Sequence, residues 1–175
     1  YMNKIDSNAI AAAFDSVHEF NDISGQLQGD MVKGVDLSLS LIWEEYQESL
    51  EALEKAYQDD SQVSLQDYEE ELLDGACDLF VVTMGFLQKL KVAGFNVEEA
   101  LMRVCKNNME KFPTVIPPQD YNWYENNELT VTRNADYGRF VIKDSNMKTR
   151  KPVDFQPVVL VDLVPATFFG SLSNG

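Results

Sequence analysis

The sequence predicts a mainly α chain: a four-helix bundle over residues 1–112, followed by a small C-terminal β-hairpin appendage over 113–175. Three observations carry this. Apolar residues recur at three- and four-residue spacing through four segments of the first part. From Pro113 onward the pattern changes to alternation among β-branched and aromatic residues, punctuated by prolines. The composition, 45% apolar and 25% charged, is that of an ordinary folded domain with one sizeable core, which excludes disordered, collagen-like and low-complexity classes.

The first helix is expected over residues 6–20, where Ile10, Phe14, Val17 and Phe20 fall on one face behind polar capping candidates. Gly25, Gly29 and Gly34 mark a flexible connection. A second, longer helix is expected from Asp36 to about Tyr57, with Leu39, Ile42, Tyr46, Leu50 and Leu53 as its buried face. Ser64 with Asp67 resembles a capping box at the start of a third helix, and Leu65–Lys91 contains no proline. Its middle, DLFVVTMGFL, is apolar nearly all round, the mark of a central bundle helix. Asn96 is an N-cap candidate for the fourth helix, NVEEALMRVCKNNMEKF, with Glu98 and Glu99 in its first turn, where the helix dipole favours acids; Pro113 ends it. In the appendage, residues 128–133 and 138–143 alternate around a turn at Asn134–Tyr137 and predict a hairpin. Residues 151–166 are expected to add an extended segment or edge strand, since Pro152, Pro157 and Pro165 exclude a helix and a central strand.

No run approaches the ~18 apolar residues that a spanning helix needs, and the first twenty residues lack the charge and apolar pattern of a secretory signal. The expectation is a soluble, cytoplasmic protein without membrane association. Cys77 and Cys105 sit in helical apolar patterns and are expected as small core residues; no CxxC or Cys/His cluster suggests zinc. A net charge of -15 excludes the usual basis of nucleic-acid binding, a surplus of Lys and Arg that displaces counterions.

The charge is concentrated: residues 44–78 hold 13 acids and one base, Lys55. Within that stretch, Glu44, Glu45 and Glu48 on the second helix, and Glu71, Asp74 and Asp78 on the third, form two acidic rows at three- and four-residue spacing. Like charges so placed destabilise a helix, so a cation is the natural compensation. Asp78 stands among Ala76, Cys77, Leu79, Phe80, Val81 and Val82, where an unpaired carboxylate is costly. Gly75 and Gly85 each weaken the helix by ~1 kcal/mol relative to Ala, a cost understood if another helix packs closely there. Clustered oxygen ligands without His or Cys suit Mg²⁺, or Mn²⁺, better than zinc. The remaining acids, Glu51, Glu54, Asp59, Asp60, Asp67, Glu69 and Glu70, are expected on a solvated face.

Three ordered motifs carry a resemblance: EEYQE at 44–48, DGACDLFVVTMG at 74–85, and NNMEKF at 107–112. In these the chain resembles the all-α nucleoside triphosphate pyrophosphohydrolases, the MazG-like and phosphoribosyl-ATP pyrophosphohydrolase-like superfamily. Where much of that superfamily has Glu three residues before the final Asp, this chain has Gly75, so the fourth ligand is Asp74 or Glu71. The resemblance implies a helical catalytic domain over 1–112 that cleaves a (d)NTP to (d)NMP and pyrophosphate with Mg²⁺, or Mn²⁺, held by Glu45, Glu48, Asp74 and Asp78. Glu44 would be a further ligand or would orient and deprotonate the attacking water. Asn108 and Lys111 would contact the substrate, with Arg103, Lys106 and Asn107 beside them on the slightly positive fourth helix. A homodimer or homotetramer is expected, because broad apolar helices in so small a body need covering.

Trp43 and Phe20 are expected in the core, with stacking on the nucleotide base as the alternative, and the single His18 is expected to be structural or at the surface rather than catalytic. Two other classes stay open. One is a non-enzymatic acidic interaction protein, even a nucleic-acid mimic. The other is a carboxylate di-iron bundle, although that needs Glu-x-x-His pairs and His18 is not so placed.

Overall fold

Asp6 begins the first helix, α1 (Ser7–Ile23), by accepting a hydrogen bond from the Asn8 amide at 3.0 Å. The computed structural model describes residues 4–58 and 64–168. It is mainly helical, with one small antiparallel hairpin, and among the described residues no helix is long and apolar enough to cross a membrane. Asp59 and Asp60 lie outside the described residues.

The chain forms two compact units, one reaching to Val97 and rejoined from Val164, the other spanning Glu98–Leu163. The helical body expected to end at residue 112 thus gives up its fourth helix to the second unit.

In the first unit, α2 (Met31–Tyr57) starts five residues before the expected Asp36. Asp30 caps it, accepting from the amides of Val32 and Lys33, and Gly34 lies inside the helix rather than in the connection. The turn between the two helices uses Gly25 and Gly29 at φ +72° and +80°. Ser64 and Asp67 complete a full capping box at the start of α3 (Leu65–Val92). Helix α3 packs against both α1 and α2, and so is the central element of this unit. Its contacts with α2 pair Gly75 with Ser49 and Lys89 with Gly34, so the two run antiparallel.

Polar groups hold the middle of this unit together. Asn21 Nδ2 donates to Gln88 Oε1 at 3.0 Å, and Gln88 Nε2 donates to the Phe14 carbonyl. Lys89, 2% exposed, donates from Nζ to Gln26 Oε1 and Ser38 Oγ at 3.0 and 2.9 Å. Neither acceptor is charged, and burial lowers the Lys89 ammonium below its ordinary pKa. A lysine depressed in the folded state contributes stability that is present above its unfolded pKa of about 10.4 and lost as pH falls through the folded value. Urea unfolding should therefore show the wild type gaining stability relative to Lys89→Met as pH rises towards 10; a difference that does not change with pH would contradict this.

The apolar faces expected to be buried are only partly so. Val17 is buried on α1 and Ala52 on α2, and Ile42 and Leu50 are half-buried, but Leu39, Tyr46 and Leu53 are exposed. Trp43 and Phe20, expected in the core, are 64% and 63% exposed. Cys77 and Cys105 are free thiols on the surface rather than core residues. The reason is geometric: three helices bury only the sides they turn to each other, and α2 and α3 carry apolar side chains beyond those sides.

The second unit holds most of α4 (Val97–Met109), α5 (Tyr121–Asn126) and the expected hairpin, β1 (Thr130–Asn134) with β2 (Arg139–Lys143). Thr130 pairs with Lys143 and Asn134 with Arg139, and Asn134 Oδ1 fixes the turn by accepting from the amides of Asp136 and Tyr137. Tyr124, Ile142 and Ile116 form the core, with Leu129, Val131 and Phe140 against it. Helix α5 was not expected; six residues are too few for a periodic signal, and the helix exists because Tyr124 is buried there.

Residues 151–166 form no strand, contrary to one of the two expectations. Their partners are side chains of α4: Asn107 Nδ2 donates to the Gln156 carbonyl at 2.8 Å, and Arg103 donates to the Val159 carbonyl and both Asp162 oxygens. Proline at 152, 157 and 165 removes three ladder amides, while the Val153 amide donates to the Tyr124 hydroxyl at 3.3 Å. Val161–Leu163, between the second and third prolines, forms a short 3-10 helix, contrary to the expectation that the prolines exclude one.

Candidate functional site

The acidic rows meet because two helices approach closely at one point. A Cβ on Gly75 would fall on Ser49 Oγ and lie 3.5 Å from the Ser49 Cα, so a larger residue here requires the Ser49 hydroxyl to move. Ser49 Oγ is itself held by donating to the Glu45 carbonyl at 2.9 Å. Gly85 plays the same part against α1, where a Cβ would lie 3.1 Å from Asn21 Nδ2.

Beside the Gly75 contact opens a cleft of about 330 Å³ lined by Glu48, Glu51 and Lys55 from α2 and Glu71, Asp74 and Asp78 from α3. Glu45 is half-buried next to it. Its carboxyl is raised above the ordinary range, first by burial and then by Asp78, Glu48, Glu44 and Asp74 in that order. Carboxylates of both rows thus act on Glu45: Glu44 and Glu48 from its own helix and Asp74 and Asp78 from α3. Glu44 is exposed, and Asp78 is half-buried, in keeping with its apolar neighbours. Asp74 and Glu71, the two alternatives for the fourth ligand, both line the cleft.

Glu51 is exposed, as expected, and it also lines the cleft, which the sequence reading did not anticipate. Its position three residues after Glu48 was the available signal. Lys55, one turn further on, lines the same cleft without an ion pair to any of these carboxylates.

Among the described residues, no three Asp, Glu, His or Cys groups converge tightly enough to enclose an ion as they stand. The donor set still fits a hard divalent cation. It is all oxygen, and Mg²⁺ retains several waters and takes one or two carboxylates directly, so an open acidic cleft suits it better than a closed cage.

The fourth-helix candidates lie in the second unit. Lys111 Nζ is 2.8 Å from Asn108 Oδ1, so these two are brought together. Arg103 is engaged by Asp162 and Glu99, which hold its guanidinium charged, and Asn107 is engaged by Glu110 and Gln156. His18 lines a separate pocket of about 470 Å³ with Phe14, Gln88 and Lys91. Trp43 packs its ring on Tyr46 at 5.9 Å.

No family model, no curated protein and no solved structure matches the chain.

Proposed function

We propose that the chain is a metal-dependent nucleoside triphosphate pyrophosphohydrolase that cleaves a (d)NTP to a (d)NMP and pyrophosphate. The observation that supports this reading is the cleft in which Glu48, Glu71, Asp74 and Asp78 face one another beside Glu45. A bound Mg²⁺, or Mn²⁺, held by Glu45, Glu48, Asp74 and Asp78, would neutralise phosphate charge and acidify water. Glu44, exposed on the same helix as Glu45 and Glu48, would be a further ligand or would orient a water and take its proton. The Gly75 contact keeps the two rows at a fixed separation, so that the carboxylates need little rearrangement during turnover.

The test is pyrophosphate release from a panel of NTPs and dNTPs with Mg²⁺, with Mn²⁺ and with EDTA. Metal-dependent release with a monophosphate product is expected. Silence across the panel from a folded protein would overturn the reading in favour of an acidic surface that binds a basic partner.

Self-association as a homodimer or homotetramer belongs to the same proposal. Phe20, Leu39, Trp43 and Leu73 all lie in the first unit and are each more than half exposed, apolar surface that a second copy would cover. Light scattering at micromolar concentration should give at least twice the 19.8 kDa chain mass; a monomer would refute it.

A further inference from the structure

The second unit contains a cavity of a different character. Residues 98–163 hold nine Lys and Arg against ten Asp and Glu, whereas the rest of the chain holds five against 19. Four of those nine bases, Lys111, Lys148, Arg150 and Lys151, line one cavity of about 580 Å³ together with Trp123 and a single carboxylate, Asp144. In so acidic a protein, four cations around one opening are a local exception to the overall charge.

The cations are held by the structure rather than scattered. Asp144 Oδ1 accepts from the amides of Asn146 and Lys148, and Asp144 Oδ2 accepts from Arg150 Nε at 2.8 Å. The Arg150 amide donates to the Ile142 carbonyl at 2.8 Å, which ties this loop to the strand that carries the core. Lys151 Nζ stands 4.8 Å from the Phe155 ring centroid. One carboxylate thus organises the loop that brings Lys148, Arg150 and Lys151 to the cavity lining. Trp123 supplies an aromatic wall: it is 46% exposed, and its ring meets buried Tyr124 edge to face at 5.5 Å.

We propose that this cavity is a nucleotide-binding site, with Lys148, Arg150 and Lys151 taking the phosphates and Trp123 the base. Its volume of about 580 Å³ leaves room for a small organic ligand rather than a lone inorganic anion. The aromatic wall decides against a bare polyanion, because a base stacked on an aromatic ring gains roughly 1–3 kcal/mol, about 5- to 150-fold in affinity. The site is independent of the carboxylate cleft and needs no divalent metal.

Calorimetric titration of the full chain in EDTA tests it, because without metal the acidic cleft repels phosphates whereas the bases of this cavity attract them. ATP or dTTP should bind, inorganic tripolyphosphate at least fivefold more weakly, and adenosine at least tenfold more weakly. Lys148→Glu combined with Lys151→Glu, both at exposed positions, should weaken ATP at least tenfold with an unchanged unfolding curve. Trp123→Leu should remove the advantage of ATP over tripolyphosphate. Absence of ATP and dTTP binding, tripolyphosphate binding as tightly as ATP, or the double variant binding normally would each overturn the proposal. An eight-nucleotide single strand binding more tightly than either nucleotide would overturn it in favour of a nucleic-acid surface. Pyrophosphohydrolase activity is read separately, with metal, so either site can fail without the other.

Discussion

Glu48→Gln and Asp78→Asn are each expected to lower metal-dependent pyrophosphate release by roughly 10²- to 10³-fold, the loss typical of removing one preorganised electrostatic group from a reacting centre. The helical circular dichroism should be unchanged, since Glu48 is exposed and Asp78 half-buried, and neither caps a helix or makes an ion pair. Stability should move the other way. Both residues contribute to the repulsion that raises the Glu45 carboxyl, so deleting either charge should stabilise the metal-free protein by a few tenths of a kcal/mol. Mg²⁺ should raise the melting temperature of the wild type and do so less in the variants. Normal turnover in either variant would sink the assignment; equal stabilisation by Mg²⁺ in all three proteins would remove these carboxylates from the metal.

Gly75→Ala should destabilise the first unit by roughly 1–3 kcal/mol, the usual cost of overpacking a close contact. On an exposed helix the same change would stabilise by about 1 kcal/mol, so the sign itself reports on the packing. Ser49 cannot easily turn away, because its hydroxyl is hydrogen-bonded to the Glu45 carbonyl. Removing that hydroxyl with Ser49→Ala leaves the Ser49 Cβ 3.4 Å from the new methyl group, close to ordinary contact. The double variant should therefore recover most of the loss, a coupling of roughly 0.5–3 kcal/mol in a double-mutant cycle measured by urea unfolding. A Gly75→Ala protein more stable than the wild type would mean that the helices are not held together at this point.

Much of this site was legible because its signals are local. The three- and four-residue spacing of Glu44, Glu45 and Glu48, and of Glu71, Asp74 and Asp78, places each row on one helix face regardless of what surrounds it. Gly75 and Gly85 announced close approach, and both positions meet a neighbouring helix, α2 and α1 respectively. Glu51 was missed because its charge resembles those of the solvated acids around it, and only the orientation of α2 against α3 distinguishes it. Lys89 was missed for the opposite reason: a lysine in a last turn ordinarily favours the helix dipole from the surface, yet this one is buried against Gln26 and Ser38. Cys77 and Trp43 were misplaced because periodicity finds an apolar stripe but not the neighbour that would cover it.

The sequence by itself determined where the chain becomes helical, where it turns and where it forms a hairpin, because caps, glycines, prolines and alternation act over a few residues. Asp6, the Ser64–Asp67 capping box and the Asn134 turn all behave in the structure as their local chemistry requires. Tertiary structure alone decided which apolar residues are covered, that a short helix forms around Tyr124, and that α4 divides from the first unit at Val97. It also decided that Glu51 lines the acidic cleft and that Lys111 joins the distant run Lys148, Arg150 and Lys151 around a cavity shared with Trp123. These outcomes depend on the rotation of each helix about its axis and on contacts between distant segments, and no local pattern encodes either.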